Sequence, residues 1–210
     1  MKSVAFIPAR GGSKEIPRKN LIDLAGHPLI YYGITAAQLS NADEVWVSTD
    51  DTEIANYAKA LGASVLTRPA ELATDTSPSE LALLHFADNV TFDQVAFIQA
   101  TSPLIDARII NNGIDLLKSY DSALTVTRNS QFIWNDLGPN YDIFNRPRRQ
   151  EMSPSYIETG GAFFTNRNSL MKSKNRISGR IGYVFVSKLQ ALDIDSIDDL
   201  ELVSHVITSK

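Results

Sequence analysis

The chain has 210 residues, 43% hydrophobic and 21% charged, and this ordinary composition excludes wholesale disorder, collagen and a coiled coil. Lys and Arg number 20 against 24 Asp and Glu, so the net charge of -4 offers no overall basic field for nucleic acid or an anionic membrane. The absence of cysteine excludes disulfides, zinc–thiolate sites, iron–sulfur clusters and a catalytic thiol. At this length we expect one domain over residues 1–210, because two independent cores would be cramped.

The first residues turn polar and glycine-rich too soon for the apolar region of a signal peptide. No later apolar run approaches the roughly 20 residues that span a bilayer. The absence of cysteine also fits a reducing compartment. We therefore expect a cytoplasmic protein that contacts neither a membrane nor nucleic acid.

Short apolar runs alternate with amphipathic stretches along the chain. Strands are predicted at residues 4–7, 44–49, 63–66, 95–98, 123–126, 161–165 and 182–186. Helices are predicted from Pro28 onward and over residues 51–61, 79–89, 106–118 and 197–207. Because parallel strands need crossover connections, this order predicts a three-layer α/β fold, a mostly parallel sheet with helices on both faces. Ligands of such sheets gather at the carboxyl ends of the strands.

Residues 128–160 break this rhythm, being rich in Asn, Pro, Arg and aromatic residues. A long stretch without clear periodicity is more often functional, or an interface, than a passive connector. The aromatic and proline content would suit either an interface or a packed lid.

The loop after the first strand carries the sharpest functional signal. Its glycines let backbone N–H groups turn toward phosphate oxygens, which nearby cations neutralise. The loop lacks the spacing of a Walker A or a dinucleotide motif, and an exposed basic turn is the alternative. The residues concerned are Ala9-Arg10-Gly11-Gly12-Ser13-Lys14, followed by Arg18-Lys19-Asn20.

Two carboxylates near the C-terminus form a candidate metal site. Asp193 and Asp195 lie two apart, so in an extended segment they face the same way while Ile194 points oppositely. Mg²⁺ prefers such oxygen ligands. Alternatively, Asp195 or Ser196 simply caps the helix that begins near residue 197. The spacing alone leaves both open.

With these residues in view, the chain resembles the cytidylyltransferases that activate sialic acids and related nonulosonic acids. The resemblance begins with Ile7-Pro8-Ala9-Arg10-Gly11-Gly12-Ser13-Lys14 and Lys19-Asn20 and continues in family order over nearly the whole chain. The further matching segments are Ser48-Thr49-Asp50-Asp51, Arg68-Pro69-Ala70-Glu71-Leu72-Ala73, Gln99-Ala100-Thr101-Ser102-Pro103-Leu104, Arg146-Pro147-Arg148-Arg149-Gln150 and Asp193-Ile194-Asp195.

The resemblance implies a Rossmann-like nucleotidyltransferase that transfers CMP from CTP to the anomeric hydroxyl of a nine-carbon 2-keto acid and releases pyrophosphate. It implies Mg²⁺ or Mn²⁺ held by Asp193 and Asp195, and catalytic roles for Arg10, Lys19 and Asp195. The nucleotide site it implies comprises Ala9, Arg10, Gly11, Ser13, Lys14, Lys19, Asn20, Arg68, Ser77 and Ser79. For Arg68 a surface position is the alternative, and for the two serines helix capping.

For the sugar, the resemblance implies contacts from Gln99, Thr101 and Ser102, with Arg148 or Arg149 on the sugar carboxylate. A solvated basic run is the alternative for the arginines. The family is typically a homodimer in which the segment matching residues 128–160 reaches the partner's sugar site.

The chain departs from the sialic acid pattern near the sugar. It reads Glu158-Thr159-Gly160-Gly161 where many relatives carry Asn-Gly. Neuraminate, legionaminate, pseudaminate and a deaminated form therefore stay open as acceptors. Further alternatives are Kdo or another sugar acid, and a nucleotide-binding protein without turnover.

Overall fold

The computed structural model describes residues 1–209. The strands are β1 (Ser3–Pro8), β2 (Asp23–Leu24), β3 (His27–Pro28), β4 (Glu44–Thr49), β5 (Ser64–Thr67), β6 (Gln94–Ile98), β7 (Ser122–Asn129), β8 (Trp134–Asn135), β9 (Gly138–Pro139), β10 (Ser155–Asn166) and β11 (Ile181–Phe185). The helices are α1 (Ile30–Gln38), α2 (Thr52–Ala60), α3 (Ser79–Asn89), α4 (Ala107–Leu116), α5 (Arg167–Ser173) and α6 (Ile197–Thr208).

Seven strands form the central sheet in the order β11-β7-β10-β6-β1-β4-β5. Strand β10 runs antiparallel to both of its neighbours, and all other pairs are parallel. The predicted mostly parallel sheet is confirmed. The reversed direction of β10 was not predicted, because a strand buried on both faces has the same apolar pattern in either direction.

Helices cover both faces of the sheet, as predicted. On one face α1, α2 and α4 pack on the sheet, and on the other α3 and α5 do so. Helix α4 comes very close to β10, since a Cβ at Gly113 would lie 2.2 Å from the Phe164 ring. Glycine at this position therefore sets the distance between helix and sheet. Among the described residues, no helix has the length and apolar character needed to cross a membrane.

The structure adds elements that the apolar pattern missed. Helix α1 begins at Ile30 rather than Pro28, because Pro28 pairs with Asp23 in the β2–β3 hairpin. The strand predicted at 161–165 is the end of the longer β10, whose pairing register with β7 shifts between Glu158 and Phe163. The β8–β9 hairpin and α5 are too short to show a periodic signal.

A third apolar cluster joins the two ends of the chain. Ile16, which follows the glycine-rich loop, packs in it with Ile194 and with Val203 of α6. The Ile194 N–H also donates to the Thr101 carbonyl at 2.9 Å. These contacts bring the Asp193–Asp195 segment to the first loop and to the strand end before Thr101.

Candidate active site

A cavity of about 450 Å³ opens where β1, β5 and β6 end. The cavity lies at the carboxyl ends of the strands, the edge at which ligands of such sheets bind. The cavity is lined by Pro8, Arg10, Gly12, Ser13, Lys14, Glu15, Lys19, Asn20, Arg68, Leu72, Thr74, Asp75, Ser77, Pro78, Ser79, Ala82, Gln99, Ala100, Thr101 and Asp195. Most of the residues that the resemblance assigns to the nucleotide are in this set.

Two of the expected nucleotide residues do not line the cavity. Ala9 is buried, and its N–H donates to the Ser48 carbonyl at 2.9 Å. The Gly11 N–H donates to Asp50 Oδ1 at 3.0 Å, so it is already engaged. A Cβ at Gly11 would lie 2.7 Å from Asp51 Oδ2, which means that only glycine fits against the start of α2. Both residues hold the loop rather than face the cavity.

The first two loop cations converge on one acidic side chain. Arg10 Nη1 lies 3.0 Å from Asp75 Oδ1, and Lys14 Nζ lies 3.2 Å from Asp75 Oδ2. Arg10 Nη1 also donates to the Thr74 carbonyl at 2.8 Å, while its own carbonyl accepts from Asn20 Nδ2 at 2.9 Å. The family resemblance places the loop of residues 75–79 near the cytosine but gives Asp75 no role of its own. Its only signal was an acid in a loop that follows a strand of the same sheet.

Lys19 is the most restrained of the three loop cations that line the cavity. Its side chain is 13% exposed, and Nζ donates at 3.0 Å to both the Ile194 carbonyl and Asp195 Oδ1. Its partner Asp195 stays largely exposed and lines the cavity. The ammonium is therefore fixed at the cavity wall, beside the carboxylate.

The capping alternative for Asp195 is not what the structure shows. Ser196 is the N-cap of α6, and it forms a capping box with Asp199. Hydrogen bonds donated by the Ser196 hydroxyl and by the backbone N–H groups of Ser196 and Asp195 lower the pKa of Asp199. Asp193 accepts a hydrogen bond from Ser102 Oγ at 2.8 Å. Neither Asp193 nor Ser102 lines the cavity.

Arg68 is buried rather than on the surface. Nε donates to Ser48 Oγ at 3.1 Å and Nη2 to the Ser48 carbonyl at 2.6 Å, so the end of β4 holds the guanidinium. Burial lowers the pKa of Arg68, while the Asp50 carboxylate acts in the opposite direction. The group still borders the cavity, where its remaining N–H donors can meet a ligand.

The serines near α3 do not cap that helix. Pro78 holds the N-cap position, and no side chain makes a cap hydrogen bond there. Ser77 Oγ instead donates to the Glu71 carbonyl at 3.2 Å and lies 2.6 Å from Thr74 Oγ1. Ser77 and Ser79 both line the cavity.

The residues expected to bind the sugar are divided. Gln99 and Thr101 line the cavity, whereas Ser102 is buried against Asp193. Arg148 and Arg149 are exposed in the 128–160 segment and do not border the cavity. One copy of the chain therefore does not bring them to its own site.

Within residues 1–209 no group of three or more His, Asp or Glu side chains is placed to hold a metal ion. Of the two expected metal ligands, both of which lie in the described residues, Asp195 lines the cavity and Asp193 does not. Mg²⁺ commonly takes one or two carboxylates and completes its shell with water and phosphate oxygens, so the donor set fits a nucleotide-bound ion.

Comparison with known proteins accounts for most of the chain. The model of a family described as cytidylyltransferase matches residues 4–171. The chain belongs to this family. An N-acylneuraminate cytidylyltransferase B from Danio rerio is 37% identical over 91% of this chain and 48% of its own length. A pseudaminic acid cytidylyltransferase from Campylobacter jejuni is 29% identical over 96% of this chain and 94% of its own length.

The chain spans about half the length of the first curated relatives that it matches. In three dimensions it resembles a CMP:2-keto-3-deoxy-manno-octonic acid synthetase complexed with CTP, with a TM-score of 0.78 and 19% identity over 100% of this chain and 99% of that one. This likeness confirms the predicted nucleotidyltransferase fold.

Proposed function

We propose that this cytidylyltransferase transfers CMP from CTP to the anomeric hydroxyl of a sialic acid or a related nonulosonic acid. The observation that carries the proposal is one cavity lined both by three loop cations and by the buried Arg68 guanidinium. Family membership and the N-acylneuraminate and pseudaminic acid relatives support the choice of substrates.

The reaction is a displacement at phosphorus. The anomeric oxygen of the sugar acid attacks the α-phosphorus of CTP, the bond to the bridging oxygen of the β-phosphate breaks, and pyrophosphate leaves. The hydroxyl proton passes to solvent or to a basic group. Such a reaction needs positioning and charge neutralisation more than covalent catalysis, which agrees with the chemistry of the cavity.

In this proposal each loop cation has its own role toward the triphosphate. Arg10 and Lys14 bind phosphate oxygens, with Ser13 and Asn20 beside them, and Lys19 stabilises charge as it develops on the leaving group. Lys19 suits this role because its two hydrogen bonds hold Nζ before substrate arrives.

The cytosine contacts a different set of lining residues in this proposal. Arg68 donates to the base carbonyl, with Ser77 and Ser79 close by. A planar guanidinium held at two of its nitrogens can offer a directed donor with little loss of rotamer freedom.

A divalent ion, Mg²⁺ or Mn²⁺, would bind at Asp195, and when bound it would polarise the phosphates. Asp193 is the second expected ligand, and its present partner is the Ser102 hydroxyl. The role that remains for this chain's residues is to keep the Asp195 carboxylate at the cavity wall, where Lys19 holds one of its oxygens.

The sugar would contact Gln99 and Thr101 of one copy, with its carboxylate bound by Arg148 or Arg149 of a second copy. We propose a homodimer for this reason, with residues 128–160 as a dimerisation segment of a single domain over 1–210, acting in the cytoplasm. Exposed arginines that do not line the cavity of their own copy support a partner site.

The test is pyrophosphate release from CTP and Mg²⁺ with a panel of sugar acids. The panel comprises N-acetylneuraminate, legionaminate, pseudaminate, deaminated neuraminate and Kdo, with ATP, GTP and UTP as nucleotide controls. We expect release with CTP and a nonulosonate. Release with Kdo alone would change the acceptor, and CTP binding without release for any acceptor would favour a non-catalytic binder.

A further inference from the structure

The cavity assigned to the nucleotide is lined by a side-chain carboxylate, that of Asp75, which pairs with two of its cations. The two oxygens of the Asp75 carboxylate lie 3.0 Å from Arg10 Nη1 and 3.2 Å from Lys14 Nζ. One carboxylate thus bridges the two cations that the proposed function assigns to phosphate. Asp75 itself borders the cavity, so the bridge lies inside the space that a ligand would enter.

The bridge has the chemistry of a phosphate contact. A guanidinium and an ammonium bind carboxylate and phosphate through the same kind of charge-assisted hydrogen bonds. Two oxygens of one anion, one on each cation, are also what a single phosphate group would offer. Asp75 and a phosphate group therefore compete for Arg10 and Lys14 and cannot both bind the two cations in this way at the same time.

The bridge can be broken without unfolding the protein. The Asp75 side chain is 40% exposed and that of Lys14 is 75% exposed, and such solvated pairs contribute little stability. The loop that bears Asp75 is held independently, because Ser77 Oγ donates to the Glu71 carbonyl and the Ser77 N–H donates to the Thr74 carbonyl. A more highly charged anion can thus displace the carboxylate alone.

We propose that Asp75 is a built-in competitor for the triphosphate site: it occupies Arg10 and Lys14 when the nucleotide is absent and is displaced by polyphosphate. The inference rests on the proposed function for the identity of the nucleotide. The consequence is selectivity for highly charged ligands. A ligand binds Arg10 and Lys14 favourably only if it carries more negative charge than the single carboxylate that it displaces. The returning carboxylate also helps pyrophosphate to leave.

The experiment is calorimetric titration of Asp75→Asn with pyrophosphate, CTP, CMP and cytidine at fixed pH and ionic strength. We expect the Kd for pyrophosphate and CTP to fall about three- to tenfold, as removal of two weak competing ion pairs implies. CMP should gain less, and cytidine should not gain. Asp75→Ser, which also removes the charge, should give the same order.

Glu15→Gln is the matched control. Glu15 lines the same cavity, and among the described residues it forms no ion pair with either cation. It therefore removes one negative charge without freeing Arg10 or Lys14, and its effect should be clearly smaller. Equal effects of the two substitutions would reduce the inference to general electrostatics and overturn it.

Unchanged or weaker pyrophosphate binding in both Asp75 variants would also overturn the inference, since it would mean that Asp75 holds the cations in place. Pyrophosphate is used because its binding requires neither cytidine selectivity nor turnover. Tighter pyrophosphate binding with no turnover on any sugar acid would contradict the proposed function alone. Turnover with no gain in pyrophosphate affinity would contradict this inference alone.

Discussion

Arg10 and Lys19 reach the same cavity under different restraints. Lys19 Nζ is held by a backbone carbonyl and by Asp195, whereas Arg10 is held through Thr74 and Asp75 on a loop. At the scale of single residues, Lys19 is thus a fixed charge, whereas Arg10 is a charge that can exchange its partner. Pre-set charges contribute most to catalysis, since they need no reorganisation during reaction.

Arg10→Ala tests the phosphate role. We expect kcat/KM with CTP to fall about 10²- to 10³-fold, the usual loss when one donor to a developing charge is removed. Arg18→Ala is the matched control, because Arg18 pairs with Glu53 and does not line the cavity. Turnover of Arg10→Ala close to that of the unchanged protein would contradict the assignment.

Asp195→Asn tests the metal role. A lost carboxylate ligand should raise the Mg²⁺ concentration for half-maximal activity by at least about tenfold, the scale seen for weakened metal sites. Folding should be intact by circular dichroism, because Ser196 supplies the helix cap. Asp198→Asn, two positions after Ser196 in the first turn of α6, is the control. The same magnesium titration in both variants would remove Asp195 from the metal site.

Helix α6 and the segment before it act together at the scale of elements. The capping box of Ser196 and Asp199 fixes the start of the helix, and the Asp195 N–H also reaches Asp199 Oδ2 at 3.2 Å. Val203 then anchors the helix in the apolar cluster that contains Ile16. The cap thus supports the position of both Asp195 and the first loop.

Asp199→Asn should lower the free energy of unfolding by about 0.3–1 kcal/mol at pH 7, because the amide oxygen can still accept the hydrogen bonds but the negative charge at the helix N-terminus is lost. The folded-state pKa of Asp199 is lowered, so its stabilisation is present above the unfolded pKa of about 3.9 and is lost as pH falls through the folded value. In urea unfolding, the free energies of unfolding of Asp199→Asn and of the unchanged protein should approach each other below about pH 4. Glu201→Gln, on the same helix outside the cap, should show no such convergence.

At the scale of the whole molecule, the 128–160 segment presents large apolar side chains to solvent. Leu137 is 99% exposed and Phe144 is 95% exposed. Tyr156, in the same segment of the chain, packs against Tyr183 and Phe185 on an uncovered part of the sheet. Large exposed apolar side chains of this kind are typical of an interface, which supports the proposed dimer.

Phe144→Asp tests this surface. A charge placed in a dimer interface should yield a monomer by light scattering, and sugar-dependent turnover should fall because the partner no longer completes the site. CTP binding should persist, since its cavity is formed within one copy. Leu39→Asp, at an exposed leucine after α1, is the control. An unchanged protein that is monomeric and fully active would refute the dimer.

Much of the fold could be predicted because its information is local. Alternating apolar runs define the strand and helix order, and helix α3 lies at Ser79–Asn89 as predicted. The antiparallel β10 could not be predicted, because burial on both faces erases the signal of direction. The glycine-rich loop was identifiable since its special residues are adjacent in the chain.

The sequence by itself determined the α/β class, the family resemblance and the main cations of the site, because each depends on residue type and short spacing. Only the tertiary structure placed Asp75 between Arg10 and Lys14, buried Arg68 against Ser48, and paired Asp193 with Ser102. These partners lie tens of residues apart in the chain. Contacts of this kind arise from the order and direction of the strands, which no local pattern encodes.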